Sequence, residues 1–456
     1  MRRSLRVALL ATVATCFAGA ALAQDLITKD RVGPADAPKV LSFRLTGDGP
    51  GNTDPAYAEA YQKVFVDFIQ KHPGWQIKLE RMSDNIGQEQ ARMLEQAKSG
   101  SGPDCAAVDS FVLALFMNAG VLKPLNEYFT QAEIDDLFPF VREGITGKDG
   151  KIYAWWWGTD LRVLYRNKDI VPTAPETWEE LKAAAIASKD KGMEGVLVNG
   201  GRWEGTTFDW LANFWAQGGK LVDENGKPIF AEGENREKFL KAVNYFKDLV
   251  DSGAAPKRVA TIVNYDEFNA AATAGTTALF IGGNWQLAQL KNTMEPEEFA
   301  KWTFSPIPGP TKDQRSTGTG GWTVGAFSND PEKVALCAAI AKDIYAGPGN
   351  EIQQQLPTSK AIFDKYDVFK AEANQAFAAA LVDGQARFKF DVFKSDANKA
   401  FAAALVDGQA RPGVPIYPEI SNQIQVMMGD VLTGAKTPEA ALDAANTAVQ
   451  AAYARL

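Results

Sequence analysis

Residues 151–167 read KIYAWWWGTDLRVLYRN, which sets three consecutive indoles, Trp155, Trp156 and Trp157, a few positions ahead of the carboxylate of Asp160. An indole offers flat apolar faces and one N–H donor, and an ionised carboxylate offers only acceptors. That grouping suits holding a ligand better than breaking a bond. In an extended segment alternate side chains face opposite ways, so Trp155 and Trp157 should share one side and Trp156 the other. Two more indoles stand in glycine-rich surroundings, Trp203 within GGRWEG and Trp322 after Gly320-Gly321. Such loops commonly carry binding residues. Asp109 closes the apolar run CAAVD, at the carboxyl-end position where open α/β sheets bind ligands, and it could equally cap a helix running from Phe111.

The usual catalytic designs are missing from the sequence. His72, in KHPGW, is the sole histidine, and a solvated turn residue is expected there. With no G-x-S-x-G, P-loop, H-E-x-x-H or EF-hand loop, we expect no catalytic residue, no metal and no cofactor. Cys105 and Cys337 are expected as two buried small hydrophobes rather than as a bridge, and no CxxC is present for zinc.

Residues 1–23 read as a secretory signal: Arg2, Arg3 and Arg6 precede a short apolar run that ends in Ala21-Leu22-Ala23. The whole chain has 48 basic and 56 acidic residues, net −8, and removal of the three signal arginines leaves 45 against 56, near −11. That acidity argues against nucleic acid and anionic membrane surfaces as partners. No later segment approaches the ~18 uninterrupted apolar residues of a membrane span. At 456 residues with 46% hydrophobic composition, two domains are expected.

The elements that would position these side chains alternate. Leu41, Phe43 and Leu45 mark a strand; Tyr57, Tyr61, Phe65 and Phe68 mark a helix that stops at Pro73-Gly74; Trp75, Ile77 and Leu79 mark the next strand. A polar helix at 88–98 and the strand 105–109 complete an α/β unit with a mostly parallel sheet. A second unit opens with the capping box at Thr177 and Glu180. It continues through an Asn225-Gly226 hairpin turn, an amphipathic helix around Phe239–Val250, and a buried strand over 276–285. Asp330-Pro331 and Thr437-Pro438 open further helices. Near the end, residues 367–387 recur almost unchanged as 391–411. Two units are too few for a solenoid, and a tandem duplication is the simpler reading.

These stretches together resemble the family 1 extracellular solute-binding proteins, the sugar-capturing subunits of ATP-driven importers related to maltose-binding proteins. The resemblance rests on FIQKHPGWQIKLE, SGSGPDCAAVDS, GVLKPLNEYF, NKDIVPTAPETWEEL, ALFIGGNW, GGWTVGAFS, QQQLPTSKAIF and RPGVPIYPEISNQIQ in that order. It implies an α/β, two-lobed type II periplasmic-binding-protein fold with an interlobe ligand cleft. The implied segments are 24–157 and 275–325 for the N-terminal lobe, and 158–274 and 326–456 for the C-terminal lobe. The implied partners are a neutral mono- or oligosaccharide and the transmembrane permease of an ABC importer, with the protein a periplasmic monomer. In this setting Trp157 becomes a stacking platform and Asp160 a hydroxyl acceptor, with Trp155, Trp203 and Trp322 as further aromatics and Asp109 as a second carboxylate. Trp285 resembles the family's stacking aromatic. Arg411 resembles an arginine at the last crossing, where the duplication makes Arg387 a competitor. A glycerol phosphate or polyamine in the same fold, or a secreted glycoside hydrolase, would be the alternatives.

Overall fold

The computed structural model describes residues 26–83, 86–353, 355–366 and 408–456. The expected signal segment and the tandem units, apart from 408–411, lie outside the described residues, as does Arg387.

The strands are β1 (Ile27–Thr28), β2 (Arg31–Val32), β3 (Lys39–Leu45), β4 (Trp75–Arg81), β5 (Cys105–Asp109), β6 (Trp155–Asn167), β7 (Val196–Leu197), β8 (Leu279–Gly283), β9 (Trp302–Ser305), β10 (Thr317–Ala326), β11 (Leu356–Pro357) and β12 (Gly408–Ala410). The principal helices are α1 (Pro55–Lys71), α2 (Ile86–Lys98), α3 (Ser110–Asn118), α4 (Trp178–Lys189), α5 (Glu204–Trp215), α6 (Gly233–Asp251), α7 (Asp266–Thr273), α8 (Asn284–Thr293), α9 (Pro331–Ile340), α10 (Tyr417–Leu432) and α11 (Pro438–Tyr453). Several start where the sequence places a cap. Thr177 and Glu180 form the reciprocal box, and Asp330 and Thr437 cap α9 and α11; α1 is capped by Asp54, which sequence reading missed and whose carboxylate accepts from the Ala56 and Tyr57 amides.

Hydrogen bonding runs along one path, β1-β2-β4-β3-β5-β10-β6-β8-β7. β3 pairs in parallel with β4 and β5, and β10 then inserts antiparallel between β5 and β6. The long strand β6 is the shared member of two sheets. Its first part, to Leu161, pairs with β10 and β11; its second part, from Arg162, pairs with β8 and β9. At the change of partner, side chains supply the bonds: Asn284 Oδ1 accepts from the Leu161 amide at 2.9 Å, and Thr317 Oγ1 accepts from the Arg162 amide at 3.1 Å and donates to its carbonyl at 2.7 Å. No helix among the described residues is long and apolar enough to cross a membrane.

Two expectations need correction. Segment 275–325 does not sit wholly with the first sheet, because β8 pairs with β7 and both β8 and β9 pair with the far part of β6. Only β10 carries that segment back. The strand expected over 276–285 stops at Gly283, where the Gln286 side chain accepts from the Gly283 amide at 2.9 Å and starts α8, so Trp285 stands on a helix. The hairpin turn expected at Asn225-Gly226 is present, with the Asp223 amide donating to the Lys227 carbonyl and the Ile229 amide to the Leu221 carbonyl, both at 2.9 Å, around the antiparallel bridge Val222–Pro228.

Cys105 and Cys337 are joined as a disulfide, with Cα atoms 5.7 Å apart, against the expectation of two free thiols. The reason is topological. Ala326 at the end of β10 lies opposite Cys105, and α9, which follows, folds back over β5. A separation of 232 residues hides that proximity from the sequence.

Candidate ligand-binding site

Where β6 passes between the sheets, a cavity of about 240 Å³ opens. Asp48 and Asn52 reach it from the loop after β3, Tyr57 from α1, Asp109 from the end of β5, Asp160 and Arg162 from β6, and Trp203, Glu204 and Phe208 from the start of α5. Tyr265, Trp285 and Gln289 wall the opposite side, and Trp322, Gln353, Gln355 and Arg411 complete it. Asp109 fills both of its expected places, capping α3 through the Phe111 amide at 3.3 Å while lining the cavity.

Two buried arginines organise the charge. Arg162 donates to Asp160 at 2.9 Å and to Asp209 at 3.1 Å, and Tyr265 Oη donates to Asp209 at 2.9 Å. Arg411 donates to Asp109 at 2.8 Å and to Glu204 at 3.1 Å, and Tyr417 Oη donates to Glu204 at 2.8 Å. The Ser421 hydroxyl donates to the other Glu204 oxygen. The Phe208 ring lies between the clusters, its centroid 3.7 Å from the Arg162 guanidinium carbon and 3.9 Å from that of Arg411. Such stacking on a weakly hydrated guanidinium is favourable in a desolvated site.

Burial opposes the charge on both arginines, but the facing carboxylates more than offset it and hold their pKa values above the ordinary range. Burial raises Asp209, with Arg162 pulling the other way. Burial likewise raises Asp109 to about 6, helped by the nearby Asp160 and Glu204 and opposed by Arg411 and the Phe111 amide. A carboxyl group whose folded pKa lies above its unfolded value adds stability that is fully present below about pH 4 and lost as pH rises through 6. Ionised Asp109 therefore costs about 3 kcal/mol at neutral pH, a burden carried for the site. Asp109→Asn, which keeps a good cap, is expected to melt above the wild type at pH 7.5, and the gap should narrow to about a third on acidification to pH 4.5. Thermal melts of both proteins across that range check this; a gap that widens on acidification contradicts it.

Of the residues singled out from sequence, Asp109, Asp160, Trp203, Trp285, Trp322 and Arg411 line the cavity together. The indoles that raised the question do not. Trp155 stacks on Phe129 at 3.9 Å with planes 2° apart, Trp157 packs on Tyr345 at 5.3 Å, and the Trp156 indole donates to the Gly158 carbonyl at 2.9 Å. Residues 155–157 lie inside the first sheet, covered by neighbouring elements, and β6 reaches the cavity only from Asp160 onward. The roles expected for Trp155 and Trp157 are thus corrected to packing. Sequence reading missed Arg162, Glu204, Phe208, Tyr265, Gln353 and Gln355. A signal existed for the first, since a lone arginine within the apolar run LRVLY must find a buried partner. Glu204 adjoined a singled-out tryptophan.

Gln355 Oε1 and Trp203 Nε1 are buried and have no hydrogen-bond partner among the described residues, although both residues line the cavity. Gly158 makes room for the former: a Cβ there would come within 2.8 Å of Gln355 Cδ. Buried polar atoms left unpaired cost about 1–3 kcal/mol each, a cost that a ligand hydroxyl would remove.

Residues 51–346 match a family model described as bacterial extracellular solute-binding protein. A mannitol-binding protein of Pseudomonas aeruginosa is 27% identical over 246 residues, covering 52% of this chain and 51% of its own length. A maltodextrin-binding protein of Bacillus subtilis is 26% identical over 243 residues, covering 50% and 55%. The chain spans about half the length of the relatives it matches. Among solved structures, maltose-bound MalE3 of T. maritima shares the fold at a TM-score of 0.74 and 23% identity, covering 90% of this chain and 99% of that one. An ABC transporter solute-binding protein of Thermotoga lettingae bound with α-D-tagatose shares it at 0.69 and 23%, covering 90% and 98%.

Proposed function

We propose, from the premise that the chain belongs to the bacterial extracellular solute-binding protein family, that it is the substrate-binding component of an ABC importer for a neutral sugar or sugar alcohol. The observation that carries this reading is the state of the charges. Both buried guanidiniums already bind carboxylates, and Asp109, Asp160, Glu204 and Asp209 are each bonded to a guanidinium. An anionic ligand would have to break those pairs, and a polyamine would have to compete with arginine at Asp109, Asp160 and Glu204, with Asp48, held by the Thr46 hydroxyl at 2.6 Å, as the remaining cavity carboxylate. What remains is aromatic surface from Trp203, Trp285 and Trp322, with an unpaired acceptor on Gln355 and an unpaired donor on Trp203. That is the complement of a ring with C–H faces and a hydroxyl rim. The mannitol- and maltodextrin-binding relatives support the polyhydroxylated class.

In this reading the protein works as a periplasmic monomer without covalent chemistry, and closure of the two halves on the ligand presents it to a membrane permease. Titration of the mature protein with mono-, di- and trisaccharides and sugar alcohols, followed by tryptophan fluorescence and calorimetry, tests it. A saturable response to a neutral member, with no cleavage of it, is the expected result. A response confined to glycerol phosphate or polyamines would overturn it. Trp285→Ala should weaken binding at least tenfold, about 1.4 kcal/mol. Trp155→Leu should lower the melting temperature and leave affinity unchanged, because Trp155 packs on Phe129 away from the cavity.

A further inference from the structure

Glu204 stands in the walls of two cavities. Besides the binding cavity, one of about 400 Å³ shares Glu204 with it, and its lining includes Gly87, Phe111, Ile416, Asn422, Ala452 and Leu456. The two are neighbours throughout: Ile86 lines the first and Gly87 the second, Asp109 the first and Phe111 the second. Arg411 lines the first cavity, and its guanidinium is stacked against one ring from each. Its carbon lies 4.6 Å from the Phe111 ring centroid on one side and 3.9 Å from that of Phe208 on the other. Asp109 holds it from α3 and Glu204 from α5, and Glu204 is itself fixed to α10 by Tyr417 and Ser421. Gly320 leaves room for it, since a Cβ there would meet Arg411 Nη2 at 2.8 Å.

We infer that Arg411, clamped by Asp109 and Glu204, is an end wall that sets ligand length. It confines the ligand to one or two rings, and its removal joins the two cavities into a groove that admits longer oligosaccharides. The inference rests on the sugar reading above for its consequence, and on the geometry alone for the partition.

The test uses a ladder of linear α-1,4-linked glucose oligomers of one to five units, and a second ladder of β-1,4-linked ones, titrated by calorimetry into three proteins. These are the wild type, Arg411→Ala, and the triple variant Asp109→Asn, Glu204→Gln, Arg411→Ala, which leaves no bare carboxylate if the single change fails to fold. The wild type should bind one- or two-unit rungs and lose at least tenfold beyond them. The variants should lose affinity for the short rungs and gain at least tenfold for three to five units. Equal wild-type affinity for short and long rungs would overturn the end wall while leaving the sugar reading standing. If no rung binds any protein, the sugar reading is what has failed, and the crystal structure of the variant decides the partition. One continuous chamber upholds it; collapse of Phe111 and Phe208 into the gap overturns it.

Discussion

Arg162→Ala is expected to lower stability by about 3–5 kcal/mol and to abolish binding. The arginine is buried on β6 and shared by two carboxylates that are themselves buried, Asp160 and Asp209. Removing it leaves both without a cationic partner in a medium where an uncompensated charge is costly. It also removes one face of the sandwich around Phe208 and a contact to Trp285 at 4.7 Å. Chemical denaturation reads the first effect and calorimetry the second. Combining the change with Asp160→Asn and Asp209→Asn should recover most of the stability and none of the affinity. Wild-type stability in the single variant would mean that the carboxylates are solvated in solution, against their burial here.

Replacing both Cys105 and Cys337 by alanine is expected to cost about 2–5 kcal/mol, among the larger effects available to a single bridge, because it closes a loop of 232 residues. The effect acts mainly through the unfolded chain, which the bridge prevents from exploring its full length. The midpoint in urea should fall in the double variant, and the reduced wild type should fall with it, while the double variant ignores reductant. Thiol titration of the native wild type should find no free sulfhydryl at either position. Unchanged midpoints would show that the bridge adds nothing.

The parts of this molecule legible in its sequence are those written locally. The alternation of Leu41, Phe43 and Leu45, the helical spacing of Tyr57, Tyr61, Phe65 and Phe68, and the caps at Thr177, Asp330 and Thr437 all fall where the structure has them. Six of the eight residues singled out for the site line one cavity, because glycine-rich loops and strand ends are where chains of this class converge. The failures have a common cause in long-range geometry. Three adjacent indoles look like a binding device, yet which side of β6 meets the cavity is decided by β10 and β11, which come more than 150 residues later. The disulfide and the pairing of β8 with the second part of β6 are likewise set by crossovers that no local pattern reports. Arg162 was visible as an anomaly within an apolar run, and only the fold reveals that Asp209 answers it.

The change of partners along β6 has a mechanical consequence. At Leu161 and Arg162 the amides are held by Asn284 and Thr317 side chains. Each such bond nets about 0.5–1.5 kcal/mol. Flexure concentrated there strains three side-chain bonds rather than tearing a ladder, and makes the strand compliant at one joint and stiff on either side.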